Sequence, residues 1–381
     1  MSHDPLISHI PASASPRPTA VIYCEANFAR LDGKTANGLV RSSETYEILS
    51  IIDSTKAGLD SGMVLDGVAN NIPIHADLDA VLANTDRAPD AFIYGVAPAT
   101  GLLEPHERSV VLDAISRRLN IVNGLHEFLN DDPEFAASAA AANVTIHDVR
   151  RPRAKKDLRL FSGRIETVTC PRIAVLGTDG AIGKRTTSTI LTKALRDAGI
   201  NAVMISTGQT GLIQGARYGL ALDAIPSQFC SGEIEAAVIK AFEAELPDVI
   251  IVEGQGALSH PAYLSSTFVL RGARPDGVIL QHAPGRKVLG DFPMVAMPTA
   301  ASEIRLIETF APTTVIGLTI NHENMTDGEI DDAIIAYQRE LAIPVTDALA
   351  RPAERLVDMV LQAFPILAAL PHVDVAPAMT T

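Results

Sequence analysis

The sequence predicts an α/β protein with two domains, each built on a parallel β-sheet. Two observations support this fold class. Short apolar segments of strand length alternate with amphipathic segments of helix length along the chain, which is typical of parallel βαβ units. The chain also has 381 residues, which corresponds to two domains at roughly 100–200 residues each.

The first domain is predicted over residues 19–150, after an N-terminal tail of residues 1–18. Its predicted strands are Thr19–Cys24, Tyr46–Asp53, Asp90–Ala97, Asn120–Asn123 and Val144–Asp148. Helices are expected over Pro105–Leu119, where apolar residues recur at helical spacing, and over the alanine-rich Phe128–Asn143. The architecture is therefore Rossmann-like. No G-x-G-x-x-G motif follows the first strand, so dinucleotide binding is not expected there.

A basic linker of residues 151–170 is predicted to separate the domains. Arg150–Arg164 (RRPRAKKDLRLFSGR) is polar, contains proline and lacks a clear period. Two interpretations remain open. The segment is either a solvated connector, or some of its charges face a phosphate-bearing ligand at the domain junction.

The second domain is predicted over residues 171–370, followed by a tail of residues 371–381. Its predicted strands are Ile173–Gly177, Asn201–Ser206, Asp248–Glu253, Gly277–Gln281 and Thr313–Ile320. A helix is expected from Gly183 onward, and a closing helix over Arg351–Phe364.

Composition excludes several classes of function. The formal charge of −14 opposes binding to nucleic acid or to an anionic membrane surface, and no apolar run is long enough to span a bilayer. Three widely spaced cysteines do not indicate a disulfide framework or a zinc site. We therefore expect a cytoplasmic protein that acts on small molecules. A homo-oligomer is a separate expectation.

The strongest motif is Gly177–Thr187, which reads GTDGAIGKRTT and lies between a strand and a helix. A glycine-rich turn at a helix N-terminus directs backbone N–H groups and a lysine toward one point, which suits a phosphate group. The motif departs from G-x-x-x-x-G-K-[ST] by one extra residue and by Arg185 in place of the hydroxyl residue. It predicts a P-loop NTPase-like doubly wound domain, in which the phosphate-binding candidates are Gly177, Thr178, Asp179, Gly180, Gly183, Lys184, Arg185 and Thr186. The alternative is a tight turn with an incidental lysine.

A second motif is Val249–Leu258 (VIIVEGQGAL), an apolar strand that ends in an acidic residue. In a parallel sheet Glu253 would emerge at the carboxyl edge beside the glycine-rich loop. There it could orient a water or a metal, or act as a general base. The alternative is an exposed carboxylate at a strand end.

These motifs, with Ser206–Gly219 (STGQTGLIQGARYG) and His282–Pro293 (HAPGRKVLGDFP), resemble a family with a Rossmann-like domain followed by a P-loop domain. Its characterised member is a D-glutamate N-acetyltransferase. The resemblance extends from about Thr19 to Phe364. It implies that acetyl-CoA is the co-substrate and that D-glutamate is the acceptor in D-amino-acid catabolism. Because Arg185 cannot bind a cation, no metal is expected.

Acyl transfer from a thioester to an amine needs a base and donors for the developing oxyanion. The candidate bases are Glu253, Asp223 and His260, and the backbone of Gly254–Gly256 could supply the donors. A dicarboxylate acceptor needs cations, for which the candidates are Arg217, Arg286 and Lys287. For each cation a solvated surface charge is the alternative. His322 is expected to be a satisfied structural histidine.

Two other functions compete with acetyl transfer. One is a Mg-ATP-dependent ligase or kinase similar to dethiobiotin synthetase, and the other is a nucleotide-binding protein without catalysis. Arg185 argues against both the ligase and hydrolysis, because it removes the hydroxyl that binds Mg²⁺ in such loops.

Overall fold

The computed structural model describes residues 16–98 and 100–369, and these form two compact units. The first unit contains the described part of Met1–Arg153 together with Gly208–Ala224, and the second contains Ala154–Thr207 and the described part of Ile225–Thr381. Each unit has its own parallel sheet, so the predicted α/β class is confirmed. Of the two predicted tails, only residues 16–18 are described. Residues 1–15 and the whole C-terminal tail, residues 371–381, lie outside the described residues.

Thirteen strands and thirteen α-helices occur in the described residues. The strands are β1 (Thr19–Tyr23), β2 (Glu47–Ile52), β3 (Ile74–His75), β4 (Ala91–Tyr94), β5 (Asn120–Asn123), β6 (Ile146–Asp148), β7 (Arg172–Gly177), β8 (Ala202–Ser206), β9 (Tyr218–Gly219), β10 (Val249–Glu253), β11 (Gly277–His282), β12 (Thr314–Ile320) and β13 (Val345–Asp347). The helices are α1 (Lys34–Arg41), α2 (Ser61–Asp66), α3 (Leu78–Asn84), α4 (Pro105–Ser116), α5 (Pro133–Ala142), α6 (Lys184–Asp197), α7 (Gln209–Gln214), α8 (Ser227–Glu245), α9 (Ser265–Ala273), α10 (Ala300–Phe310), α11 (Asp327–Leu341), α12 (Glu354–Ala363) and α13 (Pro365–Ala368).

The sheet of the first unit has the order β3-β2-β1-β4-β5-β6, with every pairing parallel. The five predicted strands of this unit are present. The sequence did not predict β3, because a strand of two residues is too short to show a period. Helix α5 is shorter than predicted, because the Asp132 side chain caps it, Pro133 opens it, and Asn143 ends it in the left-handed conformation.

The six strands of the second unit follow the order β13-β12-β11-β7-β10-β8 and are parallel. All five predicted strands are present, and β13 was not predicted. The expected helix is α6, whose Leu191 and Leu195 are fully buried and pack with α12 on one face of the sheet. Helix α12 begins at Glu354 and not at Arg351, whose guanidinium instead bonds to Asp327 and Asp331.

The 19-residue helix α8 was missed in the sequence because buried residues surround much of its circumference and no amphipathic stripe is visible. Its buried Glu233 and Glu235 accept hydrogen bonds from the backbone of the predicted linker, at Arg159, Ser162 and Ile165. The predicted connector is thus exposed for most of its length but is anchored to α8 over residues 159–165.

Residues Gly208–Ala224, which carry α7 and β9, pack in the first unit although the predicted second domain contains them in its sequence. The Gln214 amide donates to the carbonyl oxygens of Gly38 (2.7 Å) and Ser42 (2.8 Å), at the end of α1. These bonds fix the segment against α1. Across the described part of the chain, we find no helix with both the length and the apolar character to cross a membrane.

Candidate active site

The loop between β7 and α6, residues 177–184, is called the phosphate loop here. Gly183 has φ +103°, which a residue with a side chain rarely adopts. A Cβ on Gly177 would lie 2.9 Å from Cδ of Lys184, so a larger residue there would displace the lysine side chain. The Thr178 N–H donates to the Gln281 carbonyl at the end of β11 (3.0 Å). The sequence therefore folds here into a tight turn that directs its backbone toward the start of α6.

Lys184 is the first residue of α6 and is buried. Its Nζ donates to the main-chain oxygen of Asp179, within the same loop. The ammonium is thus held over the loop, at the position where a bound phosphate would meet the helix N-terminus.

The hydroxyl groups that follow the lysine have other partners. Thr187 donates to Oε1 of Gln281 (2.6 Å), and Ser188 donates to the Lys184 carbonyl (2.9 Å). Arg185 and Thr186 are both half-buried. Two of the four hydroxyl groups at residues 186–189 therefore donate their protons to groups within the second unit.

Glu253 lies at the carboxyl end of β10, beside Val175 of β7, and is only 5% exposed. Its Oε2 accepts from the Ser206 hydroxyl (2.5 Å) and the Thr207 N–H (3.1 Å). Burial raises the pKa of the Glu253 carboxyl, and the nearby positive charge of Arg185 is the main opposing influence. The alternative of an exposed strand-end carboxylate is wrong.

The expectation that Gly254–Gly256 forms an oxyanion hole needs correction at its first residue. The Gly254 N–H donates to the Val175 carbonyl (3.0 Å) and continues the pairing of β10 with β7. A donor used inside the sheet is not free to bind a substrate oxygen.

His260, a second candidate base, is 5% exposed and stacks on Tyr263 with ring centroids 4.3 Å apart. Its Nδ1 accepts from the backbone N–H groups of Ala262 (3.2 Å) and Tyr263 (3.1 Å). Burial lowers the pKa of the imidazole, so the neutral form is favoured. With its only lone pair already used, neutral His260 has no free site for a proton, and this geometry is unsuitable for a general base.

Arg286 was predicted to bind substrate, but in the structure it braces the phosphate loop. Its guanidinium donates to Asp179 Oδ2 (3.0 Å) and to the carbonyl oxygens of Gly180 (3.2 Å) and Ala181 (3.3 Å). Two further bonds reach Oε2 of Glu323, at 3.0 and 2.7 Å. To bind a substrate carboxylate, Arg286 would have to exchange one of these partners.

The remaining predicted residues are distributed over both units. Lys287 is exposed in the second unit. Arg217 and Asp223 belong to the first, where the Arg217 guanidinium lies 5.7 Å from the centre of the Tyr218 ring. Asp223 forms an ion pair with Arg150, which is buried. To act as a base, Asp223 would have to leave this cationic partner.

Sequence reasoning missed several residues that support the phosphate loop from neighbouring strand ends. The His282 ring bonds to the Thr178 hydroxyl (2.9 Å), and burial lowers its pKa to about 4. Asn321 donates to the Ile182 carbonyl (3.0 Å). The available signal was their position along the chain: His282 ends β11, which pairs with β7, and Asn321 directly follows β12, the next strand of the sheet. His322 bonds to the buried Asp347 (2.7 Å) and is satisfied, as expected.

Comparisons with known proteins agree with this architecture. The sequence profile of the DUF1611 P-loop domain, described as a domain of unknown function, matches residues 159–357, and that of the DUF1611 Rossmann-like domain matches residues 54–152. Two relatives named D-glutamate N-acetyltransferase are each 29% identical over 70% of this chain. The one from Pseudoalteromonas sp is covered over 80% of its length and the one from Tritonibacter scottomollicae over 79%.

The fold is also that of a solved structure. The crystal structure of a DUF1611 family protein from Anabaena variabilis has a TM-score of 0.84 and 30% sequence identity, covering 91% of this chain and 100% of that one. The predicted Rossmann-like and P-loop domains are both confirmed. The chain therefore belongs to the DUF1611 family, with an N-terminal Rossmann-like domain and a C-terminal P-loop domain.

Proposed function

We propose that this protein is an N-acetyltransferase that transfers the acetyl group of acetyl-CoA to the amine of an acidic D-amino acid. The observation that carries the proposal is the buried carboxyl of Glu253, with its raised pKa, close to the cations of the phosphate loop and α6. A base and an anion-binding loop at one sheet edge are two requirements of acyl transfer from a CoA thioester. The names of the two relatives supply D-glutamate as the acceptor.

The phosphate loop suits a phosphate that is bound and never cleaved. In loops that hydrolyse nucleotides, the residue after the lysine binds Mg²⁺ through a hydroxyl. Arg185 has no such oxygen and adds a positive charge, while Thr187 and Ser188 bond within the fold. An arginine beside Lys184 can pair with the phosphates of CoA and anchor the donor while chemistry occurs at the thioester.

Glu253 is the general base of the proposed reaction. Its raised pKa brings the proton affinity of the carboxylate closer to that of a general base that works near neutral pH. The carboxylate would take one proton from the substrate ammonium. The amine nitrogen then attacks the thioester carbon, the C–S bond breaks, and the second proton lost by nitrogen goes to the departing CoA thiolate.

The acceptor's carboxylates need cations that are not already committed. Lys287, which is exposed in the second unit, is the candidate that meets this requirement. Arg286 is the weaker candidate, because its five contacts hold the phosphate loop and Glu323. The proposed acetylation would be a step in the catabolism of the D-amino acid.

The test is thiol release from acetyl-CoA, followed with a thiol reagent, in the presence of D-glutamate, L-glutamate or D-alanine. We expect rapid release with D-glutamate and a sharp loss of kcat/KM with D-alanine, which leaves the binding cations without a partner. The matched reaction contains Mg-ATP in place of acetyl-CoA. Turnover of ATP without thiol release would instead support the ligase.

A further inference from the structure

His260 carries a buried N–H group for which the described residues provide no acceptor. Because Nδ1 accepts two backbone hydrogen bonds, the neutral ring must carry its proton on Nε2. Nε2 is buried and has no hydrogen-bond partner among the residues described. Buried donors are nearly always paired, so this one is a candidate for pairing with a ligand.

The surroundings of His260 place this donor at the phosphate loop. Tyr263 stacks on the imidazole, and Phe292 meets it edge-on with centroids 5.4 Å apart. The Tyr263 hydroxyl donates to Oδ2 of Asp291 (2.7 Å), and that oxygen lies 3.9 Å from where a Cβ on Gly180 of the loop would be. Nδ1 bonds back to its own turn, so Nε2 points away from that turn.

The charged groups that face the ring are Asp179 and Lys184 of the phosphate loop and Asp291. Neither carboxylate pairs with Nε2. Asp179 instead accepts from Gly180, Arg286 and Gly290, and Asp291 accepts from Tyr263. The donor is therefore held beside the loop by a rigid aromatic pair and is not used by the loop itself.

We propose that His260 is a catalytic hydrogen-bond donor whose Nε2–H binds the acyl oxygen of the thioester. This inference rests on the proposed acetyl transfer. When the amine nitrogen bonds to the carbonyl carbon, the C=O electron pair moves to oxygen, and Nε2–H stabilises that negative charge. When the C=O bond reforms, the C–S electron pair leaves with sulfur, and the thiolate receives the proton that nitrogen loses. His260 gains and loses no proton in this sequence.

Two substitutions separate the donor from the structural role of the ring. His260→Asn keeps an oxygen near Nδ1 that can accept the Ala262 and Tyr263 N–H groups, but it lacks the distant donor. His260→Gln places an amide N–H near Nε2. Loss of one preorganised oxyanion donor costs about 100- to 1000-fold in kcat. We expect that loss for His260→Asn, an unchanged KM for acetyl-CoA, and a higher kcat for His260→Gln than for His260→Asn. His106→Asn, on the exposed surface of the first unit, is the control.

A wild-type kcat in His260→Asn, or a loss confined to KM, would overturn the assignment. The pH profile separates the donor from a base: an acid limb that is present in the wild type and absent in His260→Gln would identify His260 as the base. If neither variant folds, the NMR resonance of His260 in wild-type protein labelled with 15N-histidine still tests the donor role. The Nε2–H resonance should move with acetyl-CoA and stay in place with CoA, which lacks the acyl oxygen.

An Nε2–H resonance that acetyl-CoA leaves unmoved, in an enzyme that releases thiol with D-glutamate, contradicts the donor role alone. Absence of both thiol release and any response to acetyl-CoA contradicts the proposed function itself. The two failures are therefore distinguishable.

Discussion

Arg286 and Asp179, 107 residues apart in the chain, form an ion pair with Nη1 3.0 Å from Oδ2, in which the carboxylate is buried. The carboxylate also accepts from the N–H groups of Gly180 (2.6 Å) and Gly290 (2.9 Å). The shape of the phosphate loop thus depends on a cation from the loop after β11. Glu323, after β12, holds the other side of the same guanidinium.

Replacement of Arg286 by methionine should destabilise the protein strongly. The Asp179 side chain is 2% exposed, and loss of Arg286 removes the cation that pairs with this buried carboxylate. Such losses cost about 3–5 kcal/mol. Urea unfolding should show this decrease in the free energy of unfolding. The neighbouring Lys287→Met, at an exposed position, should change it by less than about 0.5 kcal/mol. Equal stability of the two variants would show that the ion pair does not hold the loop.

Lys184→Met should fold and lose affinity for CoA. The ammonium donates to a main-chain oxygen of its own loop, and a charged contact to phosphate contributes about 1.5–3 kcal/mol. We expect the Kd for CoA, measured by calorimetry, to rise by roughly 10- to 150-fold. Lys193→Met on the same helix, where the lysine is exposed and pairs with Asp197, is the control. Unchanged affinity in Lys184→Met would make the loop purely structural.

Glu253→Gln should lower kcat by about 100- to 10,000-fold, the usual contribution of a general base. Only the ionised carboxylate can accept a proton, and burial raises its pKa above the ordinary 4.5. In the wild type kcat/KM should therefore rise with pH through that raised pKa. The variant should lack this rise of kcat/KM with pH. If the rise persists unchanged in the variant, the general base is another group.

The same substitution should stabilise the fold at higher pH. Because the folded-state pKa of Glu253 is raised, folding favours its protonated form. That stability is fully present below pH 4.5 and is lost as pH rises through the folded-state pKa. Glutamine is not subject to this loss, so the free energy of unfolding of Glu253→Gln should exceed that of the wild type at pH 8 and approach it at pH 4. Chemical denaturation at the two pH values measures the difference. An advantage independent of pH would have another cause.

Thiol release should survive excess EDTA. No set of three or more His, Cys, Asp or Glu in the described segments is arranged to hold a metal ion, and the position of the Mg²⁺-binding hydroxyl is occupied by Arg185. Rates with acetyl-CoA and D-glutamate should be equal with and without the chelator. Abolition by EDTA with recovery on adding Mg²⁺ would favour the ligase.

The sequence by itself determined the strands and the phosphate loop, because both depend on neighbours along the chain. An apolar run such as Ile173–Gly177 is long enough to reveal a buried strand, and the glycines before Lys184 reveal the turn. The position of Glu253 beside the loop also followed, since parallel strands end at one edge of a sheet. Short elements such as β3 and the buried helix α8 lack a local pattern and were missed.

Only the tertiary structure decided what the candidate side chains do. Arg286 was one of three possible substrate cations until the contacts with Asp179 and Glu323, both distant in sequence, occupied its donors. His260 was a possible base until two backbone N–H groups took its lone pair. The residue type fixes which bonds a side chain can make, but the packing of remote segments sets its partners. Those partners determine whether a donor, a lone pair or a charge remains for a substrate.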